Sequence, residues 1–110
     1  MLNFWASWCY YCKIEMPYFD EAARENPDVL FMMVNNTDGV YETLDAARDY
    51  ILMEGYSFPV FYDTALNAAD TYGIDSFPTT YFIDSDGNIA AKHEGAMNGV
   101  RLAEYLAMIK

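Results

Sequence analysis

The sequence predicts one α/β domain, a mixed β-sheet with helices on both faces. Segments of strand and helix character alternate along the 110 residues, a length that suits a single domain. The continuous apolar run over residues 29–34 is typical of a buried parallel strand, and Asp86-Gly87 indicates a hairpin between the last two strands. The expected order is β-α-β-α-β-α-β-β-α, with a right-handed, parallel first strand–helix–strand unit and an antiparallel final hairpin.

The first unit comprises a strand over residues 2–6, a helix over residues 10–25 and a strand over residues 29–35. The strands are expected to be buried because both are almost wholly apolar. Pro17 lies inside the helical segment, where a missing N–H and a steric clash predict a kink.

The middle of the chain predicts a helix over residues 40–54, with Gly55 as its stop, then a short strand over 59–62 and a short helix over 65–72 closed by Gly73. The longer helix rests on apolar residues at helical spacing. They are Val40, Leu44, Ala47 and Ile51.

The end of the chain predicts two strands, over residues 79–84 and 89–94, and a final helix over 98–109 with Asn98 as its N-cap. One face of that helix is apolar. Its apolar residues are Val100, Leu102, Ala103, Leu106 and Ile109.

Composition excludes several functional classes. The formal net charge of −11 argues against binding to nucleic acid or to an anionic membrane surface. A hydrophobic content of 54% excludes a disordered chain, and no run approaches the roughly 20 apolar residues that a membrane span needs. The chain opens inside an apolar run, at Met1-Leu2-Asn3-Phe4, so we expect a domain of a longer precursor.

The chemically informative feature is the cysteine pair, Cys9 and Cys12, where a strand ends and a helix begins. Cys9 is expected at the helix N-terminus, where free N–H groups and the helix dipole favour an accessible thiolate. Cys12, one turn later, is within disulfide reach. A structural disulfide and a metal site are alternatives, but such a short loop restrains little chain entropy. Zinc also prefers four ligands, and His93 is the only histidine.

Three blocks of the sequence resemble the thioredoxin superfamily, and in particular its TlpA/ResA-like branch of bacterial extracytoplasmic thiol–disulfide oxidoreductases. The blocks are Phe4-Trp5-Ala6-Ser7-Trp8-Cys9 with Glu15-Met16-Pro17, Phe58-Pro59-Val60 with Asp63, and Tyr72-Gly73-Ile74 with Phe77-Pro78-Thr79-Thr80-Tyr81-Phe82-Ile83-Asp84. The resemblance implies a thioredoxin fold with an insertion around residues 36–65. It also implies that the family's N-terminal hairpin is absent from this chain.

The resemblance implies thiol–disulfide exchange through Cys9-Tyr10-Tyr11-Cys12 as a reductant, with oxidase or isomerase activity as the alternative. Pro78 is expected to be cis and to face the cysteine pair. Trp8 and Phe77 are expected to line a substrate groove with it. Asp38 aligns with an acidic family position, one methylene shorter than the usual Glu, and is a candidate to help deprotonate Cys12.

The expected partners are a protein disulfide substrate and an upstream electron donor. We expect no cofactor, no metal, no contact with nucleic acid or membrane by this chain, and a monomer. The resemblance implies an extracytoplasmic location, with a cytoplasmic one as the alternative. Two further alternatives are a redox-inactive module that binds a peptide in the Trp8–Pro78 groove and a metal-binding module.

Overall fold

The computed structural model describes residues 1–110 and contains nine elements in the predicted order. These are β1 (Leu2–Trp5), α1 (Tyr10–Glu25), β2 (Met32–Asn35), α2 (Leu44–Glu54), β3 (Val60–Tyr62), α3 (Asn67–Tyr72), β4 (Thr79–Ile83), β5 (Ile89–Glu94) and α4 (Gly99–Ile109).

One five-stranded sheet takes its strands from the whole chain, in the order β3-β2-β1-β4-β5. Strands β1, β2 and β3 are parallel, whereas β4 is antiparallel to β1 and to β5. Trp5, at the end of β1, pairs with Asn35 at the end of β2, which pairs in turn with Tyr62. The loops that follow β1 and β2 therefore leave the sheet side by side, at the carboxyl edge where α/β proteins build their sites.

Helices cover both faces of the sheet, as predicted. Because side chains alternate along a strand, Leu2 and Phe4 face one side and Asn3 and Trp5 face the other. The first side is packed by α3. The second holds the larger core, shared with α1, α2 and α4. No helix is long and apolar enough to cross a membrane.

The prediction for the start of α2 was wrong. The helix begins at Leu44, and Val40 lies in the preceding loop with 77% of its surface exposed. Oδ1 of Asp38 accepts hydrogen bonds of 2.8–3.0 Å from the N–H groups of residues 40–42, which closes a turn instead of a helix. Thr43 then caps α2 through its Oγ1.

Other boundaries shift by a few residues. Strand β2 begins at Met32 because its pairing with β1 begins at Leu2. Helix α3 begins at Asn67, after a left-handed Leu66 with φ of 58°. Helix α1 continues without a break through Pro17. Asn98 is the N-cap of α4, as predicted.

Candidate active site

The loop after β1 is a tight turn that delivers both cysteines to helix α1. The N–H of Cys9 donates a 3.1 Å hydrogen bond to the carbonyl of Ala6, so Ser7 and Trp8 form the corner of the turn. Trp8 consequently projects outward, with 52% of its surface exposed. Trp5, directly before the turn, is fully buried in the core.

Cys9 is the N-cap of α1, with extended backbone angles, and its Sγ accepts a 3.1 Å hydrogen bond from the N–H of Cys12. The two residues form a disulfide, with their Cα atoms 5.2 Å apart. The pair therefore lies where the sequence analysis expected it. In the reduced protein, a thiolate on Cys9 would occupy the positive end of the helix dipole.

Burial distinguishes the two cysteines. Cys9 exposes 5% of its surface and Cys12 none. Cys9 is thus less open than the accessible thiolate that the sequence predicts, but it is the member of the pair that solvent reaches. A molecule that approaches from solvent therefore meets Cys9 before Cys12.

Aromatic residues adjoin the two cysteines along the chain. The Trp8 and Phe77 rings meet edge to face, with centroids 5.9 Å apart, which brings the segment before β4 alongside the turn. The Phe77–Pro78 peptide bond is cis, and Pro78 is buried. Tyr10 and Tyr11, between the two cysteines in the sequence, are exposed and lie in edge contact with each other.

Asp38 lies in the loop after β2. Its Oδ1 accepts hydrogen bonds from the N–H groups of Glu42, Val40 and Tyr41. These bonds hold the pKa of Asp38 below its ordinary value, so the carboxyl is ionised at neutral pH. These contacts give Asp38 a structural role in the loop that precedes α2.

Glu15 is a residue to which sequence reasoning gave no role. It lies on α1 three residues after Cys12, so the two side chains share a helix face, and it is buried. Its Oε1 accepts from Nδ2 of Asn3 and its Oε2 from the N–H of Met97, both at 3.1 Å. Burial raises the pKa of Glu15 to about 8, although both hydrogen bonds act in the opposite direction. The sequence did contain a signal for this residue, because Glu15 is a carboxyl among the apolar residues on the buried face of α1.

Glu42 is a second residue that the sequence did not identify. Its side chain is completely buried, although its neighbours Val40 and Tyr41 are among the most exposed apolar residues of the chain. The carboxylate turns inward and contacts Ser7, in the turn that carries Cys9. Glu42 lies inside the predicted helix over 40–54 but off its apolar positions, Val40 and Leu44, so no sequence signal pointed to its burial.

No group of three or more His, Cys, Asp and Glu side chains is arranged to hold a metal ion. The single histidine, His93, lies on β5, where its Nδ1 contacts the hydroxyl of Tyr105 at 3.0 Å.

Comparison with known proteins gives a consistent result. Residues 1–109 match the sequence profile of the Redoxin family. The thiol-disulfide oxidoreductase ResA of Bacillus subtilis is 32% identical over 99% of this chain and 60% of its own length. ResA of Bacillus thuringiensis is 30% identical over 98% of this chain and 61% of its own length. The chain thus spans about three fifths of the curated relatives it matches.

Solved structures confirm the predicted thioredoxin fold. The exposed lipoprotein thioredoxin Etrx1 of Streptococcus pneumoniae superposes with a TM-score of 0.85 at 30% identity, over 96% of this chain and 81% of Etrx1. StoA of Bacillus subtilis has the same TM-score at 28% identity, over 94% of this chain and 78% of StoA. These relatives also confirm the resemblance to the TlpA/ResA-like branch of the thioredoxin superfamily.

Proposed function

We propose, because the chain belongs to the Redoxin family, that it exchanges disulfides of protein substrates through Cys9 and Cys12. One observation carries this proposal: Cys9 caps α1, is bonded to Cys12 and receives the N–H of Cys12 on its sulfur. That arrangement stabilises a thiolate on the solvent-side cysteine and keeps the second sulfur within reach.

The exchange has two steps. In the reduced protein the Cys9 thiolate attacks one sulfur of a substrate disulfide, which forms a mixed disulfide and releases the other sulfur as a thiolate that takes a proton from water. Cys12 then loses its proton, attacks Sγ of Cys9 and releases the second substrate thiolate. The substrate gains two electrons and the protein is left with the Cys9–Cys12 disulfide. A dithiol donor must then reduce this disulfide.

We propose that Glu15, rather than Asp38, accepts the proton that Cys12 loses. Glu15 lies one helical turn from Cys12, and a pKa of about 8 makes both of its protonation states accessible near neutral pH. The lowered pKa of Asp38 and the three N–H groups on its Oδ1 suit a fixed, ionised carboxylate.

Substrate binding is proposed for the surface of Trp8, Phe77 and Pro78. Trp8 offers an apolar face beside Cys9, and Phe77 supports it edge-on. Pro78 has no N–H and begins the approach to β4, so an extended substrate segment can lie along the backbone there.

We further propose that the full protein acts outside the cytoplasm as a monomeric reductant that an upstream dithiol donor recharges. Disulfide substrates persist in oxidising compartments. Among the relatives, Etrx1 is described as an exposed lipoprotein, and a structural relative from Mycobacterium tuberculosis is described as a secreted disulfide oxidoreductase.

A trapping experiment tests the exchange. Cys12→Ser should accumulate a mixed disulfide between Cys9 and a reducible protein such as insulin, visible on non-reducing gels and reversed by dithiothreitol. Cys9→Ser is the matched control, because it retains a single thiol at the buried position and should trap nothing. Equal trapping by the two variants, or none by Cys12→Ser, would refute the assignment.

The reduction potential of the Cys9–Cys12 couple tests the direction. A value near about −270 mV, as in thioredoxin, supports a reductant, whereas one near about −120 mV, as in DsbA, supports an oxidase. Equilibration of the protein in graded thiol–disulfide buffers gives this value directly.

A further inference from the structure

The Glu42 carboxylate is held by three donors and by nothing else. The hydroxyl of Ser7 donates a 2.5 Å hydrogen bond to Oε1, and the amide of Asn35 donates a 2.7 Å bond to Oε2. The N–H of Ser7 also donates to Oε2. The two oxygens of this side chain together accept all three bonds, and two of the donors are N–H groups that can only donate.

The donors join the loops that follow β1 and β2. Ser7 is in the turn that ends at Cys9, and Asn35 is the last residue of β2. Both hydrogen-bonding groups of Ser7 that face the loop, its N–H and its hydroxyl, end on the same carboxylate. The Oδ1 of Asn35 accepts a 2.7 Å bond from Thr37, so the Asn35 amide is itself fixed in orientation.

The loop side of this contact is also fixed. The N–H of Glu42 donates to Oδ1 of Asp38 at 3.0 Å, and Thr43 caps α2 immediately afterwards. The carboxylate of Glu42 therefore projects from a braced turn into the turn that carries Trp8 and Cys9. Complete burial of a charge is costly unless its hydrogen bonds are satisfied, and here three bonds satisfy it.

We propose that Glu42 is a positioning residue that locks the Ala6–Cys9 turn and thereby keeps the Cys9 sulfur over the N-terminus of α1. This inference rests on the proposed exchange function and adds a specific determinant of it. Glu42 touches neither substrate nor sulfur and acts through Ser7. Its loss would free the turn, so that the thiolate of Cys9 would lose part of its alignment with the Cys12 N–H.

Position and charge make opposite predictions, which makes the inference testable. If Glu42 acted by its negative charge, its removal would favour a thiolate on Cys9. If it acts by holding Ser7, its removal disfavours the thiolate, and a change that keeps the charge but not the reach has the same effect.

The test uses four variants and one control variant in a Cys12→Ser background, in which alkylation reports on Cys9 alone. Glu42→Gln removes the charge, and Glu42→Asp keeps it on a shorter side chain. Ser7→Ala removes one of the three donors, and Ser7→Thr restores a hydroxyl. Glu54→Gln, at an exposed position of α2, is the matched charge control. The readout is the rate of alkylation by iodoacetamide between pH 5 and 9.

We expect Glu42→Gln, Glu42→Asp and Ser7→Ala each to slow alkylation at pH 7 by about three- to tenfold. The thiolate fraction below the pKa falls tenfold when the pKa of a thiol rises by one. Ser7→Thr and Glu54→Gln should retain the parent rate. Faster alkylation in Glu42→Gln with parental rates in Glu42→Asp and Ser7→Ala would show action through charge and overturn the inference. Parental rates in all variants would also overturn it.

Circular dichroism identifies any variant that fails to fold. Ser7→Ala deletes a single oxygen and leaves Glu42 in place, so the Ser7→Ala and Ser7→Thr pair decides the question even if both Glu42 variants unfold. Failure of the exchange function looks different: the parent with Cys12→Ser would then trap no substrate and would alkylate no faster than a cysteine in an unstructured peptide. Failure of the positioning role leaves the parent reactive and the variants identical to it.

Discussion

The backbone N–H of Met97 donates a 3.1 Å hydrogen bond to Oε2 of Glu15, so a buried carboxyl of α1 supports the segment that leads into α4. Asn3, from the central strand, occupies the other oxygen of the same carboxyl. Because burial raises the pKa of Glu15 to about 8, this group is mostly protonated in the folded protein at pH 7. In the unfolded chain it would be ionised.

The first prediction follows from that difference. The ordinary pKa is 4.5 and the folded value about 8, so the folded state binds the proton more tightly. The contribution of Glu15 to the free energy of unfolding is complete below pH 4.5 and is lost as the pH rises towards 8, by up to about 1.4 kcal/mol per pH unit. Glu15→Gln should remove this slope. Urea unfolding at pH 5, 6, 7 and 8 measures it.

Glu21→Gln, on the exposed face of the same helix, is the control and should keep the wild-type slope. The buried oxygen Oδ1 of Asn3 has no hydrogen-bond partner, and a rotated amide can present it to the NH₂ group of the substituted glutamine. The variant is therefore expected to fold. Parallel pH profiles for wild type and Glu15→Gln would contradict a raised pKa.

Local sequence chemistry predicted the framework of the site. Helix α1 spans Tyr10–Glu25, as expected, because a strand, a cap and a helix follow one another directly at Cys9. Asn98 was predicted for the same reason: an N-cap acts on residues only two or three positions away. The α2 boundary failed because Val40 fits helical spacing, whereas the Asp38 side chain competes for the N–H groups that the helix needs.

Long-range polar contacts were beyond sequence reasoning. Glu42 meets Ser7 across 35 residues, and Glu15 meets Met97 across 82. No periodicity encodes such pairs, because they depend on which loops the sheet order brings together. The sequence shows where Glu15 and Glu42 lie along the chain, but only the folded structure shows that both carboxyls are buried.

Asp20 gives a second prediction, with the opposite pH dependence. Burial raises the pKa of Asp20. This effect is outweighed by hydrogen bonds from the N–H and hydroxyl of Ser57, at 2.8 and 3.1 Å, and by the pairing with Arg24, so the pKa lies below its ordinary value of 3.8. Its stabilising effect is present above that pH and lost below it. Asp20→Asn should lower the free energy of unfolding at pH 7 by about 1–3 kcal/mol.

The deficit of Asp20→Asn should shrink as the pH falls below the ordinary value of 3.8, because the unfolded wild-type chain then binds a proton more readily than the folded protein does. Asp49→Asn, at an exposed position of α2, supplies the control and should stay close to wild type throughout. A deficit that is the same at pH 3 and pH 7 would show that the carboxylate charge plays no part.

The third prediction concerns the cap of α2. The hydroxyl oxygen of Thr43 accepts a 3.1 Å hydrogen bond from the N–H of Ala46. Thr43→Ala should therefore cost about 1 kcal/mol of unfolding free energy. Thr71→Ala serves as control, because that exposed hydroxyl donates to the carbonyl of Asn67 within α3 and caps nothing. Chemical denaturation compares the two variants, and equal losses would mean that the cap contributes no more than an ordinary surface hydroxyl.

The last prediction separates substrate binding from the chemistry of the cysteines. Trp8 is half exposed at the corner of the turn, so Trp8→Ala removes apolar surface beside Cys9 with little effect on folding. A contact worth about 1.4 kcal/mol corresponds to a tenfold loss, so kcat/KM for insulin reduction should fall about tenfold. The rate with a small disulfide, which cannot span the aromatic surface, should change little.

The comparison is sharpest against Met108→Ala, because Met108 is 55% exposed on α4 and Trp8 is 52% exposed, so both variants remove a large apolar side chain from the surface. Met108→Ala should leave both substrates unaffected. If Trp8→Ala slowed the small disulfide as much as insulin, the ring would act on the sulfur itself, through the turn that Cys9 shares. If it slowed neither, substrates would bind elsewhere than on the surface of Trp8 and Phe77. Selective loss of the protein substrate is expected because the Trp8 ring lies edge-on to Phe77, outside the Cys9–Cys12 bond. A substrate that reacts at Cys9 contacts this ring only if it extends beyond its own disulfide, as a protein does.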